Sequence, residues 1–90
     1  MGSMNVKMKL MPSSPEIDLE GIKNSVKKVL EEKHEVNKIS FEEEPIAFGL
    51  KAIILFFIWP EDKEFESVEN ELGEIENVNS SEVLDIRRSL

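Results

Sequence analysis

The hydrophobic residues of this chain recur with two spacings, one typical of strands and one typical of helices. Apolar and polar residues alternate over residues 5–11, which predicts a half-buried strand, and again over residues 36–41, which predicts an exposed strand. Residues 50–59 are almost wholly apolar and rich in isoleucine and phenylalanine, which predicts a central strand. An imperfect alternation over residues 78–90 predicts a fourth strand that contains a β-bulge.

Two further stretches carry apolar residues three or four positions apart, as on one face of a helix. They predict helices over residues 19–33 and 64–74. We expect Asp18 to cap the first helix, with Ile17 and Ile22 spaced for a hydrophobic contact across its entry. Asp62 is the expected cap of the second helix, and Gly73 is expected close to its end.

The resulting β-α-β-β-α-β order predicts an α+β, ferredoxin-like fold, a four-stranded antiparallel sheet with both helices on one face. The first and third strands are then central, and the second lies at an edge because Pro45 cannot donate to a central ladder. The third strand is apolar on both faces, although only one face meets the helices. The other apolar row is either an exposed patch for a partner or is covered by neighbouring strands and loops.

Length and composition restrict the possible classes of protein. Ninety residues suffice for one small domain, and we interpret residues 1–3 as an expression-tag remnant and residues 4–90 as the domain. A net charge of −8 disfavours nucleic acid as a partner, and the absence of cysteine excludes disulfides and thiolate ligands. The longest apolar run is too short to span a membrane. We therefore expect a cytoplasmic protein that binds neither nucleic acid nor membrane.

Charge is distributed unevenly along the chain. Residues 61–76 contain eight acidic residues and one lysine, which a solvated helix face explains more simply than a site for a basic partner. Arg87 and Arg88 stand together near the carboxyl end. Paired arginines there are usually surface charges, although arginine also suits the recognition of phosphate and carboxylate groups.

The residue patterns of enzymes and metal sites are scarce. The four glycines are too far apart for a nucleotide-binding loop. His34 is the single histidine, and nothing near it in the sequence suggests a catalytic triad. The acidic residues 42–44 would point to alternate faces of a strand, which favours a soluble edge over a metal site. We expect no cofactor, no bound metal and no bond chemistry.

One connecting segment stands out, Pro45-Ile46-Ala47-Phe48-Gly49-Leu50, which joins the second and third strands. Proline stiffens the approach, and glycine permits backbone angles that other residues disfavour. Phe48 either tucks into the core, as phenylalanine most often does, or faces outward at a bend.

This segment with the preceding Glu43-Glu44, the carboxyl-terminal Asp85-Ile86-Arg87-Arg88 and the opening Lys9-Leu10-Met11-Pro12 resemble the archaeal translation elongation factor 1-beta family. The similarity extends over residues 4–90. It implies the ferredoxin-like fold and guanine nucleotide exchange on elongation factor 1-alpha, in which GDP is released so that GTP can bind. The implied partner is therefore that GTPase, in its GDP-bound and nucleotide-free forms, and we expect the chain alone to be a monomer.

The resemblance also implies roles for particular residues. It assigns four residues to contact with the GTPase: Pro45, Ile46, Phe48 and Gly49. In eukaryotic relatives a basic residue near the carboxyl terminus displaces magnesium and destabilises the bound nucleotide. Arg88 aligns with that residue, and one additional residue before the terminus of this chain keeps Arg87 as the alternative.

Three other functions fit the same order of elements. An RNA-recognition domain would display stacking aromatic residues on its first strand, and residues 5–11 contain none. Acyl-phosphate hydrolysis would need a phosphate-binding loop, which the sequence does not show. A small-molecule-binding or oligomerising module needs only an apolar open sheet face, and it is the main alternative to nucleotide exchange.

Overall fold

Four strands and two helices follow one another in the order that the hydrophobic pattern predicts. The structure is a computed structural model, and it describes residues 2–36 and 38–89. The elements are β1 (Ser3–Pro12), α1 (Leu19–Lys28), β2 (Ile39–Pro45), β3 (Lys51–Pro60), α2 (Phe65–Gly73) and β4 (Val78–Ser89).

The strands form one antiparallel sheet in the order β2-β3-β1-β4. This order confirms that β1 and β3 are central and that β2 is an edge. In the register of β1 with β3, Ser3 lies opposite Pro60 and Leu10 lies opposite Ile53. The ten residues of β3 therefore run the length of the sheet, about 30 Å from end to end.

Both helices pack on the same face of the sheet, as expected. Every second residue of the two central strands points to that face, because side chains alternate along a strand. These side chains and the apolar stripes of the helices form one buried cluster. Its members include Val6, Met8, Leu10, Ile22, Val26, Leu30, Ile53, Leu55, Phe57, Trp59, Val68 and Leu72.

The first helix begins as predicted and ends differently. The side chain of Asp18 accepts a hydrogen bond from the backbone N–H of Glu20 at 3.0 Å, so it caps the helix. The expected helix over residues 19–33 is α-helical only as far as Lys28, and Val29–Lys33 forms a π-helical turn. Apolar residues three and four positions apart do not distinguish an α-helix from a π-helical turn, because the wider π-helical turn still buries Leu30.

The second helix begins later than predicted. Asp62 is not its cap, because the N-cap position is Glu64 and no side-chain capping bond forms there. The indole N–H of Trp59 donates to the backbone carbonyl of Lys63 at 3.2 Å, and the N–H of Lys63 donates to the carbonyl of Pro60. These two bonds hold Asp62 in a turn outside the helix. Gly73 is the last helical residue, as expected.

The edge strand β2 lies further along the chain than the predicted 36–41, of which Asn37 is outside the described residues. The acidic residues 42–44 belong to the strand itself, and Pro45 ends it opposite Lys51. Ile39 and Phe41 lie on the helix side, opposite buried residues of β3. The placement of the acidic residues on an edge strand is therefore confirmed, and the strand begins three residues later than the alternation predicted.

The last strand contains the expected bulge. Lys7 lies opposite Asp85 and Met8 lies opposite Val83, so Leu84 has no partner on β1. Beyond the bulge, the register puts Asp85 and Arg87 on the open face of the sheet and Arg88 on the helix side. The predicted final residue, Leu90, is outside the described residues.

The second apolar row of β3 is mostly covered. On the open face Ala52 and Ile54 are buried, and Phe56 and Ile58 are half-buried. The ammonium group of Lys7 lies 5.7 Å from the ring centre of Phe56, so its stem extends over this row. A shallow groove of about 530 Å³ remains beside Phe56 and Ile58.

Candidate functional site

The connection between β2 and β3 is a tight loop that begins at Pro45. The N–H of Ile46 donates to the carbonyl of Leu50 at 2.7 Å, and the N–H of Leu50 donates to the carbonyl of Ala47 at 3.3 Å. Residues Ala47–Gly49 form a single 3₁₀ turn between these bonds. The loop is therefore closed by backbone bonds, and its side chains are left free for other contacts.

Phe48 faces outward at the tip of this loop. Its side chain is 94% exposed, so the core position favoured by composition is wrong. Its φ of 62° and ψ of 30° put it in the left-handed region, and Gly49 follows with a φ of 78°. A bulky residue in that region costs roughly 1–2 kcal/mol. The fold therefore holds a large apolar ring in water in a conformation that phenylalanine disfavours.

An ion pair lies beside this loop. The ammonium group of Lys23 on α1 donates to the carboxylate of Glu43 on β2 at 2.8 Å and lies 3.1 Å from that of Glu20. The hydrogen bond from Lys23 lowers the pKa of Glu43. The same bond raises the pKa of Lys23, although partial burial opposes that rise. The pair ties the edge strand to the helix next to the loop.

The two arginines lie at the other end of the sheet and point to opposite faces. Arg88 is opposite Met4 on the helix side, and its Nη2 donates to Oε1 of Glu61 at 2.7 Å. Arg87 is on the open face, and its Nε donates to Oδ2 of Asp85 at 2.7 Å. Only the bond of Arg88 joins separate elements of the fold.

The candidate residues therefore form two groups that the fold keeps apart. Pro45, Ile46, Phe48 and Gly49 cluster where β3 begins. Arg88 lies level with Trp59 and Arg87 with Ile58, near the end of β3. The length of β3 separates the groups by about 30 Å. A single small-molecule ligand could not contact both.

Comparison with known families matches residues 5–88 to the EF-1 guanine nucleotide exchange domain. The chain belongs to this family. It is 43% identical to Elongation factor 1-beta of Methanobrevibacter smithii, with 98% of each chain covered. The corresponding protein of Methanothermobacter thermautotrophicus is 39% identical, again with 98% of each covered. That of Methanocaldococcus jannaschii is 41% identical over 96% of this chain and 97% of its own.

Family membership assigns the chain a role in translation, as a guanine nucleotide exchange factor for elongation factor 1-alpha. The small-molecule or oligomerising alternative is not favoured.

The single histidine of this exchange factor forms contacts within the fold. Nε2 of His34 lies 3.1 Å from Oε1 of Glu71, and the His34 ring packs edge-on against Trp59 with centroids 5.1 Å apart. His34 thus joins the end of the π-helical turn to α2. Among residues 2–36 and 38–89, no group of three acidic, histidine or cysteine side chains is arranged to hold a metal ion. In the same ranges, no helix is long and apolar enough to cross a membrane.

Sequence reasoning missed Glu61 as a component of the arginine end. Its carboxylate bonds to Arg88, 27 positions away, and its backbone N–H donates to the carbonyl of Gly2 at 3.0 Å. No local spacing marks such a pair, because β1 separates β3 from β4 in the sheet. The register of the strands, once known, identifies it.

Proposed function

We propose that this exchange factor contacts elongation factor 1-alpha with both ends of its sheet, Phe48 at one end and Arg88 at the other. The observation that carries the proposal is the exposed ring of Phe48, 94% in contact with solvent in a strained backbone conformation. Strain of this kind persists where the surrounding structure enforces it, and it is commonest at functional sites. A protein surface that buries the ring would remove the apolar area from water.

Exchange of this kind requires differential binding and no bond chemistry. A factor speeds GDP release when it binds the nucleotide-free GTPase more tightly than the GDP-bound form. GDP is held through its phosphates and a magnesium ion, so a fixed positive charge brought near them competes with the metal. We assign that charge to Arg88. The proposal needs no cofactor on the factor itself.

One observation favours Arg88 over Arg87 as this charge. The guanidinium of Arg88 is held by Glu61, which lies on a different element of the fold, whereas Arg87 bonds to Asp85 two residues away on the same strand. Exposure does not separate the two, because 69% of the Arg88 side chain and 80% of the Arg87 side chain are open to a partner. A group with a defined direction and free donors suits a fixed phosphate or metal site better than a locally paired one.

The Phe48 loop would act as the anchor of the complex. Its neighbours in this role are Pro45, Ile46 and Gly49. Ile46 forms one of the bonds that close the loop, and Gly49 supplies a positive φ. Anchor residues at protein interfaces are commonly aromatic side chains that are buried in the partner. The anchor would supply binding energy, while the distant arginine would change the affinity of the GTPase for nucleotide.

The proposal also specifies how many copies of the factor act and which states of the GTPase they bind. The factor acts as a single copy in the cytoplasm, on the GDP-bound GTPase, and remains bound through the nucleotide-free state until GTP enters. Its net charge of −8 disfavours direct contact with nucleic acid, so aminoacyl-tRNA would be bound by the GTPase alone.

Release of fluorescent GDP from the cognate elongation factor 1-alpha tests the proposal directly. Addition of the factor should accelerate release, and Arg88→Ala should slow it with no change in melting temperature. The difference between wild type and Arg88→Ala should shrink as magnesium is lowered, because displacement of the metal then contributes less to the barrier.

Arg87→Ala is the matched control for this experiment, because it removes the neighbouring guanidinium from the opposite face of the sheet. It should release GDP at close to the wild-type rate at every magnesium concentration. Equal rates for Arg88→Ala and wild type at high magnesium would show that Arg88 has no such role. Absence of any acceleration by the wild-type factor would reject the exchange function itself.

A further inference from the structure

Glu61 is the more firmly held partner of its ion pair with Arg88. It directly follows Pro60, the last residue of β3. Its side chain is 33% exposed, against 69% for that of Arg88. The carboxylate is therefore a fixed feature of this end of the sheet, and the guanidinium is the group whose direction it determines.

The bond between the two residues crosses the sheet. Arg88 is on β4 and Glu61 follows β3, with β1 between them. Two strand spacings separate the backbones by about 10 Å, so the pair exists only when all three strands are aligned. The pair of Arg87 and Asp85 has no such requirement, because both residues lie on one strand.

We infer that Glu61 is a positioning residue, which holds the guanidinium of Arg88 in the direction that exchange requires. The inference rests on the proposed role of Arg88 and adds a second residue to it. Glu61 accepts a hydrogen bond from one nitrogen, Nη2 at 2.7 Å. Arginine carries five N–H donors, so the others stay available to phosphate or to the ligands of the metal.

The bond to Glu61 would favour binding by reducing the conformational entropy that the Arg88 side chain loses in the complex. A free arginine side chain on a surface samples many rotamers, and ordering it at an interface opposes binding. A guanidinium already held by a charged hydrogen bond has lost part of that freedom before the GTPase arrives. Because most of the Arg88 side chain stays exposed while it is bonded, the bond to Glu61 can persist in the complex.

The opposite effect, faster exchange without the Glu61 carboxylate, is also an outcome that the test can detect. If Arg88 had to leave Glu61 in order to act, the carboxylate would restrain it, and removal of the carboxylate would accelerate exchange. Positioning and restraint thus predict changes of opposite sign in the same variant.

The test uses Glu61→Gln, which keeps the size of the side chain and removes its charge. The matched control is Asp85→Asn, which makes the same chemical change in the partner of Arg87. GDP release is measured against factor concentration for both variants, for Arg88→Ala and for the double variant Glu61→Gln/Arg88→Ala. Melting curves of all variants report on the fold.

We expect Glu61→Gln to lower the maximal release rate roughly 2- to 5-fold, the size of effect that an exposed charged pair produces. Asp85→Asn should match the wild type. In the Arg88→Ala background the Glu61 substitution should have no further effect, because a positioning residue has nothing left to position. A merely structural role for Glu61 would instead lower the melting temperature and slow both backgrounds equally.

The contrary results contradict different parts of the proposal. A wild-type rate or a faster rate for Glu61→Gln, with Arg88→Ala slow, overturns the positioning role and leaves the role of Arg88 intact. Equal slowing in both backgrounds also overturns it. A wild-type rate for Arg88→Ala overturns the assignment of Arg88 and the inference together, while the exchange function still stands on the activity of the wild-type factor.

Discussion

Replacement of Phe48 by alanine tests whether Phe48 contacts a partner or belongs to the core. In the free factor the ring is 94% exposed, so its removal leaves no cavity and takes almost nothing from the packing of the fold. Surface substitutions of this kind change stability by less than about 0.5 kcal/mol. The comparison variant is Phe57→Ala, whose ring is 3% exposed within the core and whose loss should cost about 3–5 kcal/mol.

The expected effect on exchange follows from the exposed area. Full burial of a phenylalanine side chain in a partner contributes roughly 1.5–3 kcal/mol, and nearly all of that remains to be gained in the free factor. Its loss corresponds to a decrease of roughly 10- to 150-fold in the apparent second-order rate constant of GDP release. The higher figure requires that the pocket on the GTPase encloses the whole ring.

The assay measures GDP release at increasing factor concentration, beside thermal melts of the same preparations. A contact made equally in the GDP-bound and nucleotide-free complexes would raise the half-saturating concentration and leave the maximal rate unchanged. A contact made only in the nucleotide-free complex would lower the maximal rate. Phe48→Gly provides a further comparison, because it removes the ring together with the left-handed strain, and it should melt no lower than Phe48→Ala.

A contact role for Phe48 is refuted if Phe48→Ala exchanges as fast as wild type at limiting factor concentration. It also fails if the variant melts as low as Phe57→Ala and loses activity only in proportion to its unfolded fraction. The first result would mean that the exposed ring meets no partner. The second would mean that the ring is a core residue in solution.

Two further predictions concern the same end of the sheet. Gly49→Ala should lower the free energy of unfolding by about 1 kcal/mol, or the melting temperature by about 4–8 °C, because the φ of 78° at Gly49 is unfavourable for alanine. The added methyl group itself would meet only Pro15, at 3.9 Å. An unchanged melting curve would contradict this prediction. The lowered pKa of Glu43 means that its pair with Lys23 stabilises the fold above the carboxyl group's unfolded pKa, about 4.3, and that this contribution is lost as the pH falls through the lower folded value. Urea titrations at several pH values should therefore show a smaller loss of stability on acidification for Glu43→Gln than for wild type, and parallel curves would exclude the pair as a source of the pH dependence.

The features that depend on periodicity alone were predictable from the sequence. The alternation of residues 5–11 and the apolar run of residues 50–59 predicted the two central strands. The spacing of apolar residues predicted both helices, and Asp18 was predicted as a cap because its side chain needs only the adjacent helical turn. Each of these patterns reflects interactions within a few residues along the chain or with one buried face.

The features that depend on tertiary contacts were not predictable in this way. The start of α2 is displaced by the bond from Trp59 to the backbone of Lys63. Lys23 of α1 bonds to Glu43 of β2, 20 positions away, and no local spacing marks such a pair. The direction of Phe48 depends on a left-handed backbone angle, which composition does not reveal.

The fold explains how one small domain can hold two contact groups at a fixed separation. Strand β3 runs from the Phe48 loop to the turn that carries Glu61, and it pairs along its length with β1. Because paired central strands with a buried face cannot slip by one residue without exposing that face, the register fixes the distance between the two ends. A GTPase anchored on Phe48 would therefore meet the Arg88 guanidinium at one defined position. If flexible segments carried the same two residues, the distance between them would become fixed only on binding, and the conformational entropy lost would lower the affinity.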